Sequence, residues 1–129
     1  MPHFSEKSLT LLATCDERLQ RIMMELIRQY DVKIIQGFRS QMEQDEAFKD
    51  GSSNKRWPMS KHNQHPSMAV DVVPYPIDWE DRERFFYMAG LIMAIASFMG
   101  VKIRFGGNWD MDGDFCDNRF DDLVHFELR

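Results

Sequence analysis

From Phe85 to Val101 the chain carries no charged residue, and a run of that length has to be withdrawn from water somewhere. It approaches the low end of what spans a bilayer. Gly90, Ser97 and Gly100 dilute it, however, and the central helix of a small domain needs the same composition. A buried core helix is therefore expected, capped by Asp78 or Asp81, running to about Met99 and stopped at Gly100, with no stable membrane insertion. The 129 residues, 43% of them hydrophobic and 12% aromatic, suffice to enclose such a helix in one core. Residues 1–129 are expected to form a single domain.

The remaining elements follow from periodicity. Leu19, Ile22, Met23, Leu26, Ile27 and Tyr30 recur at intervals of three and four, which predicts an amphipathic helix from Asp16, its N-cap, to Tyr30. Val32–Phe38 reads as a strand that delivers Gly37-Phe38-Arg39-Ser40 at its end, followed by a short helix from about Gln41 to Lys49. The polar stretch 51–66 reads as a long loop of the kind that is usually functional in a compact domain. In the strand Met68–Val73, alternation sets Ala69, Asp71 and Val73 on one face and Met68, Val70 and Val72 on the other. Pro74-Tyr75-Pro76 ends that strand. Lys102–Phe105 and Val124–Leu128 read as two further strands, with a polar loop from Gly106 to Asn118 between them. Helices and strands mix without regular βαβ alternation. The fold class is α+β, a small, mainly antiparallel sheet packed with helices.

Charge and cysteine content narrow the function. A net charge of −5 without any Lys/Arg cluster argues against a nucleic-acid partner. Cys15 and Cys116 are the two cysteines, too few and too dispersed for a disulfide framework or a zinc ribbon. The N-terminal segment Met1–Lys7 lacks the basic start, apolar centre and cleavage site of a secretory signal. Synthesis in the cytoplasm without a signal peptide is expected.

The residues with the most chemical content are Ser60-Lys61-His62-Asn63-Gln64-His65-Pro66 leading to Ala69-Val70-Asp71, and Asp122-Leu123-Val124-His125-Phe126-Glu127. Two imidazoles and a carboxylate can close three corners of a tetrahedron around zinc and leave the fourth for a water that the metal acidifies. A polar loop with a histidine that ends at a strand aspartate is common, and a histidine in an apolar strand is usually one whose hydrogen bonds are met by the core. His125 nevertheless needs a partner, because an imidazole in such a strand costs desolvation free energy unless it is bonded or ligates a metal.

Ser60-x-His62 with Ala69-x-Asp71, Asp122-x-x-His125-Phe126-Glu127 downstream and Gly37-Phe38-Arg39-Ser40-x-x-x-Gln44 upstream together resemble the zinc D-Ala-D-Ala carboxypeptidase and L-alanyl-D-glutamate peptidase family. That family includes the VanX and VanY enzymes and many bacteriophage endolysins. The resemblance runs from about Leu11 to Leu128. It implies the hedgehog/D-Ala-D-Ala peptidase-like fold, with His62, Asp71 and His125 as Zn2+ ligands, Asp122 as general base and Arg39 as the cation that stabilises the oxyanion. It further implies that Ser60 and Gln44 sit at motif positions nearer to support than to chemistry.

One departure lies in the first motif. In the common form the difference from His to Asp is seven positions, with a glycine between, whereas here it is 71 − 62 = 9 and no glycine is present. His65 is consequently a rival ligand, or else a residue lining the substrate groove.

The activity so implied is hydrolysis of an amide bond in the peptidoglycan stem peptide. L-alanyl-D-glutamate endopeptidase activity of a monomeric phage endolysin, acting on the cell wall after release, is favoured. D-Ala-D-Ala carboxypeptidase or dipeptidase activity is the alternative, as is a non-catalytic zinc-containing wall-binding phage module. Trp57, Trp109, Phe105 and Tyr75 are near the motifs in sequence, and Trp109 is a candidate substrate contact. Asp110, Asp112, Asp114 and Asp117, with Gly113 among them, form a candidate Ca2+ site that departs from the full EF-hand pattern.

Overall fold

The computed structural model describes residues 2–107 and 122–129. The chain order is α1 (Glu6–Leu12), α2 (Glu17–Ile27), β1 (Val32–Gln36), α3 (Gln41–Asp50), a 3-10 turn (Lys61–Asn63), β2 (Ala69–Pro74), α4 (Arg82–Phe98), β3 (Ile103–Phe105) and β4 (His125–Leu128). The four strands form one antiparallel sheet in the order β1-β2-β4-β3. This is the α+β architecture expected from the sequence.

The sheet divides the labour of its two faces. Val70 and Val72 of β2 and Phe126 and Leu128 of β4 are almost fully enclosed in the core with Ile34, Leu19, Ile22, Met23, Leu26, Met88 and Ile92. Burial of each such side chain contributes roughly 1.5–3 kcal/mol relative to exposure. The intervening residues of the same strands, Ala69 and Asp71 on β2 and His125 and Glu127 on β4, lie directly opposite one another: Ala69 pairs with Glu127 and Asp71 with His125. Period-two alternation thus carries polar chemistry on one face and packing on the other.

Helix α2 begins at its expected cap, where the Asp16 side chain accepts from the Arg18 amide. Its regular part ends at Ile27; Gln29 and Tyr30 only close back onto the Leu26 carbonyl. Helix α4 is capped by Asp81, and Phe85, Met88, Ala89, Ile92 and Ala96 are buried. The enclosure is one-sided, because Tyr87 and Phe98 on the same helix are 61% and 96% exposed. The expected core helix is thus buried along one stripe. Among the described residues no helix is long and apolar enough to cross a membrane.

Helix α1 was not evident from periodicity. It has seven residues, is capped by Ser5, and is tied to the sheet by a polar contact: the buried Ser8 hydroxyl accepts from the Ile34 amide at 3.1 Å. Strand β1 also stops before Phe38. Gly37 is pressed against the Thr14 side chain and the Leu11 carbonyl so closely that a β-carbon would collide with both, and the Phe38 amide donates to Thr14 Oγ1 at 2.8 Å. The chain leaves the sheet there and heads for the site.

Candidate active site

Three segments converge on the polar face of the sheet. The 3-10 turn presents His62: Ser60 caps it, accepting from the His62 amide at 3.2 Å while its own amide donates to Asn63 Oδ1 at 3.0 Å. The turn is clamped to the strand exit by the Arg39 amide, which donates to the His62 carbonyl at 2.7 Å. Asp71 and His125 arrive as cross-strand partners on β2 and β4, beside a register irregularity between Ile34 and Gln36 that pairs Gln36 with Asp71. Bulges of this kind re-aim side chains next to sites.

His62 Nε2, Asp71 Oδ1 and His125 Nδ1 form a triangle with sides of 3.1, 3.1 and 3.2 Å. The outer ring nitrogens are engaged elsewhere, His62 Nδ1 with the Gly37 carbonyl at 2.8 Å and His125 Nε2 with Glu127 Oε1 at 2.8 Å. Those outer partners are acceptors, so each outer nitrogen carries the N–H and each neutral ring turns a lone pair inward. Three acceptors then face one another, buried, an arrangement that repels unless a cation lies among them. A tetrahedral zinc with bonds of about 2.0–2.1 Å sets its ligand atoms about 3.3–3.4 Å apart, close to the observed sides. His62, Asp71 and His125 are thus able to hold a metal ion.

Electrostatics agree with that reading. Burial opposes ionisation of Asp71, but the charge and hydrogen bonds of the two imidazoles prevail and hold its carboxyl well below the usual carboxylate range. Burial disfavours charge on His125 too, yet its bonds to Asp71 and Glu127 raise it to about 9. Glu127 is lowered to about 2, its burial being outweighed by His125 and then by Arg104. In the metal-free protein a proton takes the place that the donors provide for a cation.

Asp122 and Arg39 border the same cavity, of about 580 Å³, together with Lys55, Ser60, Lys61 and Arg104. The Asp122 carbonyl accepts from the His125 amide at 3.2 Å, so the i, i+3 spacing is a turn that brings the carboxyl within reach of the His125 charge. Burial and the Asp71 charge raise the Asp122 carboxyl above its ordinary value, the direction a proton acceptor needs. Arg39 Nη1 donates to Gln44 Oε1 at 2.9 Å. Gln44 is fully buried; it also accepts from Asn63 and donates to Ser53 Oγ and the Lys55 carbonyl.

The family model described as phage L-alanyl-D-glutamate peptidase matches residues 1–129. The chain belongs to that family. A relative is the L-alanyl-D-glutamate peptidase of Escherichia phage T5, 31% identical over 119 residues, which cover 88% of this chain and 86% of the phage T5 protein. Among solved structures, the Serratia marcescens L-Ala D-Glu endopeptidase ChiX superposes with a TM-score of 0.78 at 25% identity, covering 99% of this chain and 91% of that one.

Within this phage peptidase family member, the structure sorts the remaining candidates. Gln44, at a motif position expected to be nearer to support than to chemistry, has its amide spent on Arg39, Asn63 and the 53–55 loop. Ser60 lines the cavity as the cap of the His62 turn. His65 stands apart from the donor triangle, exposed, with its ring edge-on to Phe38 at 5.2 Å, and it does not line the cavity. Gln64, His65 and Pro66 are all exposed, so the longer His–Asp spacing is absorbed at the surface while the ligand atoms still meet. Phe105 belongs to the core, and Trp57 and Tyr75 are not among the cavity residues. Trp109 and the acidic set Asp110, Asp112, Asp114 and Asp117 lie outside the described residues.

Sequence reasoning passed over Glu127. It stands two positions after His125 on a strand, hence on the same face, and this alternation was the available signal. It passed over Asn63 and the Gly37 carbonyl as well; a backbone oxygen leaves no mark in a sequence.

Proposed function

We propose that residues 1–129 act as one zinc peptidase domain that hydrolyses the L-alanyl–D-glutamate bond of the peptidoglycan stem peptide, as a phage endolysin reaching the wall after release. Two named relatives with that activity, together with the donor triangle of His62, Asp71 and His125, support the reading. The observation that carries it is the inward set of three lone-pair donors with a carboxyl and a guanidinium on the same cavity wall; a purely structural metal would need neither. In such a donor set zinc acidifies water and polarises a carbonyl.

The chain's own residues then have distinct tasks. Asp122 accepts a proton from the attacking water as its oxygen bonds to the L-alanyl carbonyl carbon. As the carbon–nitrogen bond breaks, Asp122 returns that proton to the departing D-glutamyl amine. Arg39 faces the charge that develops on the carbonyl oxygen; its guanidinium stays protonated and is held in place by the buried Gln44. Gly37 and Glu127 keep the two imidazoles in the tautomer that offers lone pairs.

Mass spectrometry of purified peptidoglycan after digestion tests the assignment. New N-terminal D-glutamate is expected. Release of a single terminal D-alanine would reassign the protein to the carboxypeptidase branch, and binding without cleavage would make it a wall-recognition module. Metal analysis of the purified protein is expected to find about one zinc per chain.

A further inference from the structure

Arg39 and His62 reach the cavity from different elements, the one from the exit of β1 and the other from the 3-10 turn. Asn63, next to the ligand in sequence, bridges them. It is 7% exposed, and both polar atoms of its carboxamide are bonded. Oδ1 accepts from the Ser60 amide at 3.0 Å, while Nδ2 donates to the Arg39 carbonyl at 3.2 Å and to Gln44 Oε1 at 3.1 Å. Gln44 Oε1 in turn accepts from Arg39 Nη1 at 2.9 Å. One side chain therefore grips Arg39 twice, directly at its backbone and through Gln44 at its guanidinium.

Backbone groups at the ends of this relay dictate the direction of every bond in it. The Lys55 carbonyl can only accept, so Gln44 turns its Nε2 there, at 2.7 Å, and its Oε1 toward Arg39 and Asn63. The Ser60 amide can only donate and the Arg39 carbonyl can only accept, which sets Asn63 in the complementary orientation. A carboxamide offers an acceptor on one side and donors on the other, and so matches both ends. The motif Ser60-x-His62 leaves position 63 open.

We infer that Asn63 is a positioning residue: it caps the turn that carries His62 and, directly and through Gln44, fixes Arg39 relative to the metal donors. This rests on the peptidase reading, in which the charge that Arg39 faces develops on an oxygen close to those donors. A misplacement of about 1 Å among such groups can cost on the order of a hundredfold in rate. An arginine side chain left to itself has many rotamers, and buried amides joined end to end remove that freedom. Neither Asn63 nor Gln44 lines the cavity. Asn63 accordingly acts on the reaction through Arg39 and not by touching substrate.

Asn63→Asp separates the two tasks. The carboxylate still accepts from the Ser60 amide, so the turn and its histidine keep their cap. Its second oxygen faces two acceptors, Gln44 Oε1 and the Arg39 carbonyl, and the hold on Arg39 is broken. On the zinc-loaded protein, with a synthetic stem peptide that contains the L-alanyl–D-glutamate bond, kcat is expected to fall about tenfold or more while KM changes little. Zinc affinity, by competition with a chelator, should stay near the wild-type value. Arg39→Met is expected to lose about a hundredfold, and adding Asn63→Asp to it should cost nothing more, since the guanidinium to be held is gone. Asn63→Ala, which introduces no charge, serves if Asn63→Asp does not fold, and its loss of kcat should likewise vanish in the Arg39→Met background. Wild-type kcat in Asn63→Asp, a loss that excess zinc restores, or losses that multiply in the double variants would overturn the positioning role and leave the peptidase assignment standing. If the wild type neither cleaves the peptide nor frees N-terminal D-glutamate from whole peptidoglycan, the peptidase assignment itself falls, and the task of Asn63 with it.

Discussion

Asp122 and Glu127 are both carboxylates within three residues of His125, and their surroundings give them opposite duties. Asp122 is pushed toward the protonated form by burial and by the Asp71 charge, whereas Glu127 is fixed as an anion among His125, Arg104 and Lys61. The first suits a group that exchanges protons, the second a group that orients a ligand. Asp122→Ala should accordingly keep zinc, by metal analysis, while losing at least about a hundredfold in muropeptide cleavage. Cleavage at the wild-type rate would remove Asp122 from its role as base. Glu127→Gln should do the reverse first: zinc affinity, measured by competition with a chromogenic chelator, is expected to weaken about 10–100-fold. An unchanged affinity would show that Gly37, Asp71 and the turn suffice to fix the donors.

At the scale of elements, the site depends on places where backbones come unusually near. Gly106, just after β3, has its amide on the His125 carbonyl at 2.9 Å and its carbonyl on the Asp122 amide at 3.1 Å, and a β-carbon there would strike the Asp122 carbonyl. Gly106→Ala is thus expected to displace the base and leave the triangle closer to intact, lowering kcat more than zinc content. Gly37→Ala, against Thr14 and Leu11, shifts the carbonyl that holds His62 and should lower zinc affinity as well as stability. Parallel losses of kcat and of zinc in both variants would deny this separation. Much of the element order was legible: the α2 stripe, an aspartate cap for α4 at Asp78 or Asp81 and the alternation that turns Asp71 away from Val70 and Val72 are local patterns. Helix α1 was not, because seven residues give little periodicity and its anchor, Ser8 to the Ile34 amide, is a tertiary contact. Of the site, the histidines and Asp71 were legible through motif spacing. The full burial of Gln44 was not legible, because a sequence shows amide chemistry but not its surroundings.

For the molecule as a whole, the donors tie together segments that are far apart in the chain, so metal binding and folding stability are linked. Without metal, His125 carries a proton held by Asp71 and Glu127. A histidine raised to about 9 stabilises the fold fully below its unfolded value of about 6.5, and that contribution is lost as pH rises toward 9. Glu127, at about 2, and Asp71, lower than ordinary, contribute above the usual carboxylate range and lose their contribution on acidification. In chelator, the thermal midpoint should therefore peak between about pH 4.5 and 6.5 and decline toward pH 9. With zinc present the alkaline decline should flatten, because the cation replaces the proton. A chelated protein whose midpoint holds level from pH 6.5 to 9 would contradict the proton's place in the triangle.

The strand order β1-β2-β4-β3 puts β4 into a slot between two strands that are made before it. A ribosome that has translated everything through β3 has produced His62, Asp71 and Arg39, but a gap where the sheet should close. The second imidazole, its carboxylate partner and the base all emerge afterwards. On the reading proposed for the site, hydrolytic competence waits for β4 to seat, and a chain stopped before residue 125 is expected to be silent rather than partially active.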